Sequence, residues 1–274
     1  MSKVVRRHSR LLLVVLFLVA LAVVPAVTIA SHSWGGYHWA RTSNPFTLKV
    51  GDNVNSTWDP YLNEAISDWT ASSVLNLTKV VGSSNNNCRP TAGRIEVCNR
   101  TYGNNGWLGI AQIWITGSVH ITQATTKVND TYFNTAQYNT PAWRRLVMCQ
   151  EIAHDFGLDH QDENFNNGNL GSCMDYTSDP DGPPTNEHPN SHDFAQIESI
   201  YSHLDSTTTV GAAMASTVPP AMRQLVLDGV DQWGPIVKAV KNGRGLATTH
   251  VADFGRGNKV VTHVLWTLDH KRHH

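Results

Sequence analysis

Cys149-Gln-Glu-Ile-Ala-His-Asp-Phe-Gly-Leu-Asp-His160 is the stretch on which the reading of this chain turns. Thr140-Pro141 precedes it, an N-cap residue followed by Pro at the first helical position. Trp143, Leu146, Val147, Gln150, Ala153 and His154 then recur at helical spacing. Gly157 supplies the left-handed conformation that ends such a helix. Residues four apart share a helix face, so Gln150 and His154 point the same way, with Glu151 beside them. The reversal at Gly157 lets His160 return to the same point in space. Two imidazoles from a helix and the turn after it are suited to grip one zinc ion. A carboxylate next to them is placed to take a proton from water.

Outward from this helix, the chain reads as an ordered series of strands and helices. Phe46–Val50 alternates like a strand, and Asp59-Pro60 opens an amphipathic helix to about residue 71. Strands are expected over 74–81, 94–98, 107–115 and 119–128. A long polar loop from Gln161 to about Pro189 follows the His-bearing helix. Asn190 then caps a third helix whose buried face is Phe194, Ile197, Ile200, Tyr201 and Leu204.

The pattern Gln150-Glu151-x-x-His154-x-x-Gly157-x-x-His160 resembles the metzincin zinc metallopeptidases, whose signature is H-E-x-x-H-x-x-G-x-x-H followed by a Met-turn. Ser172-Cys173-Met174-Asp175-Tyr176 matches the Met-turn, and the order of elements matches the family over roughly residues 45–204. The resemblance implies an α+β fold: a mixed, mostly parallel, twisted five-stranded sheet with three helices. It implies that Glu151 is the general base, that His154 and His160 hold Zn2+, and that Met174 floors the site. Tyr176 would stabilise the oxyanion, as in the astacin-like and serralysin-like branches. The strand at Trp107–Ile115 would be an edge that holds an extended protein or peptide substrate by strand addition. Cys149–Cys173 would tie the metal helix to the Met-turn.

The chain departs from that pattern at the first ligand, where Gln150 stands for His. Three outcomes are open. Gln150 ligates through its side-chain oxygen; Tyr176, His188 or His192 fills the gap; or the site holds no metal and the cleft only binds peptides. The first outcome gives a secreted zinc metalloendopeptidase. The last gives a catalytically impaired peptide-binding protein, and a purely structural surface protein is a further rival.

The flanks of this region carry a different message. Residues 1–10 are basic, Leu11–Val24 is an unbroken apolar run, and Pro25 ends it before Ala26 and Ala30. This is the layout of a signal peptide over 1–30, with an uncleaved membrane anchor as the alternative. Export agrees with the four cysteines, Cys88, Cys98, Cys149 and Cys173. Of the three pairings that four cysteines allow, Cys88–Cys98, closing a short loop, with Cys149–Cys173, is favoured. Residues 31–204 then form the metzincin-like domain and 205–220 a Ser/Thr/Ala-rich linker. Residues 221–274 form an extension of unknown role, with a hairpin built from His250–Phe254 and Lys259–Trp266.

The 274-residue chain has 21 basic and 22 acidic residues, and four of the basic ones precede Leu11. The rest is mildly acidic, which argues against nucleic acid as a partner. A charged fraction of 16% with nine Trp argues against disorder. The chain is read as a monomer.

Overall fold

The computed structural model describes residues 32–83, 87–211, 218–223, 225–239 and 246–270. The signal-peptide reading of residues 1–30 lies outside them. Among the described residues there are nine strands: β1 (His38–Trp39), β2 (Phe46–Asn53), β3 (Leu75–Val81), β4 (Arg94–Arg100), β5 (Trp107–Thr116), β6 (His120–Asn129), β7 (Ile236–Ala239), β8 (Ala247–Asp253) and β9 (Lys259–Trp266). Four α-helices accompany them: α1 (Asp59–Thr70), α2 (Asp130–Phe133), α3 (Pro141–His154) and α4 (Ser191–Ile200). None is long and apolar enough to cross a membrane.

All nine strands belong to one sheet, in the order β3-β2-β4-β6-β5-β9-β8-β7, with β1 pairing β6 off this path. The β3-β2-β4-β6 half is parallel and the β6-β5-β9-β8-β7 half is antiparallel. The expected five-stranded, mostly parallel sheet with three helices is therefore too small on both counts. The C-terminal hairpin does not stand apart from it. Together with the short β7, it continues the same sheet.

Local chemistry accounts for the helices. Thr140 accepts from the Trp143 amide at 3.3 Å and Pro141 opens α3. Asn190 and Asp193 form a reciprocal capping box on α4. Asp59 lies inside α1 rather than capping it, and Trp58 takes the N-cap without a side-chain bond. The short helix α2 begins where Asn129 accepts from the Thr131 amide; its single turn leaves no periodicity to read.

Helix α3 packs on β5, β6 and α1 and is buried almost throughout. Leu62, Ala65 and Trp69 of α1 face it, and the Trp69 indole donates to the Cys149 carbonyl at 3.1 Å. Strand side chains alternate between faces. Ile113, Ile115, Val261 and Leu265 join this main core. Ile110, Trp114, Val260 and Val264 join a second core on the opposite face, built with Val218, Met222, Leu227 and Trp233.

Both faces of β9 are thus covered. Burying one large aliphatic side chain contributes about 1.5–3 kcal/mol before entropy is counted. Four such residues in one strand make β9 an integral part of the fold. Residues after α4 are also anchored: the Asp205, Thr209 and Gly211 amides donate to the carbonyls of Arg41, Ala40 and Gly93.

Cys88–Cys98 and Cys149–Cys173 are both bonded, each with a Cα–Cα separation of 6.0 Å. Two disulfides suit an oxidising, extracellular setting.

Candidate metal centre

His154 closes the last turn of α3, and the chain reverses through Gly157 at φ +98°. The Gly157 carbonyl accepts from the Trp34 amide at 3.0 Å, which pins the reversal to the N-terminal segment. His160 thereby comes back to His154, and their Nε2 atoms face each other at 3.1 Å.

The tautomers of this pair follow from the opposite side of each ring. His154 Nδ1 donates to the Leu158 carbonyl at 2.7 Å, and His160 Nδ1 donates to the Glu163 carboxylate at 2.9 Å. Two neutral rings held this way aim bare lone pairs at each other. Only a shared proton or a cation relieves that. Burial, and then the charge of a protonated His160, hold His154 well below the ordinary imidazole value, so His154 itself stays neutral and keeps its Nε2 lone pair. A tetrahedral zinc with Zn–N of about 2.0–2.1 Å sets its nitrogens roughly 3.3 Å apart, close to the distance here. The donor pair fits that ion.

A third imidazole joins them, and the sequence reading did not include it. His263, on β9, has its ring centroid 4.0 Å from that of His154 and 4.4 Å from that of His160. One nitrogen from each of the three rings lies within 4.8 Å of the others, and all three residues are buried. His263 Nδ1 has no hydrogen-bond partner, and Nε2 is 3.2 Å from the Tyr176 hydroxyl.

Glu151 lies 3.6 Å from His263 Nδ1 through Oε2. Neither carboxyl oxygen has a hydrogen-bond partner, and the residue is fully buried. Burial, and then Asp155, push its carboxyl well above the usual range, whereas burial and the neighbouring histidines push His263 down. The two are neutral neighbours rather than an ion pair. A cation among the imidazoles would reverse this and favour the carboxylate.

Gln150 is buried too. Its Nε2 donates to the Cys173 carbonyl at 2.8 Å and its Oε1 has no partner. The segment 172–176 is buried as well. Met174 is fully buried in the main core, and its carbonyl accepts from the Gln161 amide at 2.7 Å. Ser172 Oγ donates to Asp193 at 2.6 Å, tying the turn to α4. Tyr176 is buried, its ring 4.3 Å from that of His160. Trp34 covers the outside of His154, stacked at 4.7 Å and 5°.

The other proposed gap-fillers sit elsewhere. His188 bonds Asp68 at 2.7 Å, and His192 stacks on His32 with a 3.0 Å contact between ring nitrogens. The expected free edge at Trp107–Ile115 is not an edge either. β5 pairs with β6 on one side and β9 on the other, with Ala111 opposite His263. Lys238 of β7 adds a strap, bridging Asp159 at 2.7 Å and Glu163 at 2.8 Å.

No protein-family model and no curated protein sequence matches the chain. Among solved structures it is similar to high choriolytic enzyme 1, a hatching enzyme zinc-protease from Oryzias latipes, the medaka fish. The identity is 12% and the TM-score 0.33, over 62% of this chain and 96% of that one.

Proposed function

We propose that this chain is a secreted zinc-dependent endopeptidase. The observation that carries the reading is the pair of facing Nε2 atoms of His154 and His160 with the unpartnered Glu151 carboxyl beside them. His154 and His160 would hold the zinc, which supplies Lewis-acid polarisation of the scissile carbonyl. Glu151 would take the proton of the attacking water and later pass it to the leaving amine. The Tyr176 hydroxyl, now against His263, would donate to the developing oxyanion.

A specific observation favours a second reading, a metal-holding but catalytically silent protein. Glu151, His154 and His263 are fully buried, and β5 has no free edge for a peptide. Closed zinc sites are the structural kind.

Metal analysis of the purified chain, with casein as substrate, tests both readings. About one zinc per chain is expected, and Glu151→Gln should keep the zinc and lose cleavage. Equal cleavage by variant and wild type would remove Glu151 from the chemistry. Zinc without cleavage by the wild-type chain would favour the second reading.

A further inference from the structure

The first ligand position of the motif holds Gln150, an amide already engaged with the Cys173 carbonyl. An imidazole is present in the same buried space, and it comes from β9, the strand paired with β5. We infer that His263 of β9 is the third metal ligand, joining His154 and His160 where the motif would otherwise place the residue at 150. This deepens the zinc reading above and rests on it.

Three observations carry it. The ring nitrogens of the three histidines converge within 4.8 Å in a fully buried pocket. His263 Nδ1 is buried with no hydrogen-bond partner, an expensive state for a polar atom unless something else meets it. With Nδ1 turned to the metal, Nε2 keeps the Tyr176 hydroxyl at 3.2 Å as its partner. Such a partner orients an imidazole for coordination.

The position of His263 is fixed by backbone pairing. It sits opposite Ala111 on β5 and opposite Thr249 on β8, in the interior of an antiparallel run. A one-residue slip in register would send its ring to the other face of the sheet. The same pairing fills the β5 ladder, so the ligand arrives on the strand that closes the cleft. The chain thus couples completion of the metal site to occlusion of the place where an extended peptide would lie.

The test is zinc affinity of the full chain, measured by competition with a chromogenic chelator, alongside the visible spectrum of the cobalt-substituted protein. His263→Ala should weaken zinc binding at least about tenfold and alter the cobalt bands, while Gln150→Ala should stay within about twofold of wild type. Gln150→His with His263→Ala should recover most of the affinity, which separates loss of a ligand from loss of the fold. Unchanged affinity in His263→Ala, with His154→Ala still deficient, would overturn the assignment and leave the zinc reading standing. A wild-type chain that binds no zinc would overturn both.

Discussion

Gly109 of β5 lies so close to Glu151 of α3 that a methyl group on its Cα would stand 2.5 Å from Oε1 and 2.7 Å from Cγ. Real Cβ atoms do not approach a neighbour so closely. The absence of a side chain at 109 is what lets the carboxyl reach the histidines while remaining buried against the sheet.

Gly109→Ala should therefore displace Glu151 and leave the His154–His160 pair in place. The expected outcome is a loss of casein cleavage comparable with Glu151→Gln, with zinc content retained. Overpacking of this kind typically costs about 1–3 kcal/mol of stability, readable as a lower Tm. Retained cleavage at the wild-type rate would show that the carboxyl has another route to the site.

Much of this was written legibly along the chain. Thr140-Pro141 and the Asn190–Asp193 box announce their helices through satisfied backbone donors, a purely local effect. Gly157 announces the reversal, because the positive φ there suits no other residue. His263 was not legible in the same way. In Lys259–Trp266 it reads as one polar residue in a strand, and its partners are about 100 residues earlier in sequence; only the sheet order brings them together. The covering of β5 did leave a sign. Trp107-Leu-Gly-Ile-Ala-Gln-Ile-Trp-Ile115 is apolar on both faces, the composition of a central strand rather than an edge.

Gly157→Ala should be more damaging than Gly109→Ala. A side chain at φ +98° is strained, and its Cβ would collide with the Tyr37 carbonyl oxygen. The reversal that returns His160 to His154 would open, so both Tm and zinc content should fall together. Normal zinc stoichiometry in a folded Gly157→Ala chain would contradict this.

Gln112 clamps the C-terminal part of the sheet from below. Its buried Nε2 donates to the Leu227 carbonyl and to Thr262 Oγ1, each at 3.0 Å. Gln112→Ala removes both bonds; the Leu227 carbonyl keeps the Trp233 indole as a donor at 3.0 Å, so the cost is about 0.5–1.5 kcal/mol for each bond lost. Amide exchange of Thr262 and His263 should accelerate more than that of β2 or β4. Uniform exchange across the sheet would mean that β9 opens only with the whole fold.

The metal-free chain should lose stability on mild acidification. Burial holds His38 and His250 below the ordinary 6.5, with backbone acceptors at Gly36 and Gly234 only partly offsetting it. Asp205, His120 and His203 surround His38. In the folded chain these two rings resist protonation that the unfolded chain accepts. Their contribution is intact above pH 6.5 and is lost as pH falls below it toward their folded values. Asp205 adds a second phase at lower pH: burial raises its pKa, but the Arg41 amide and His38 outweigh that. Its contribution is present above 3.8 and lost as pH falls through its depressed value. Melting in chelator at pH 7.5 and 5.5 checks the first phase; an unchanged Tm would contradict it.

The register that sets His263 against Ala111 also imposes an order of events on a growing polypeptide. At about 5–20 residues per second, the strand bearing that ring leaves the ribosome roughly 5–20 seconds after the helix that bears His154. For that interval the flank of β5 has no cover from its own chain, and the pocket is sealed only when Lys259–Trp266 pairs with it.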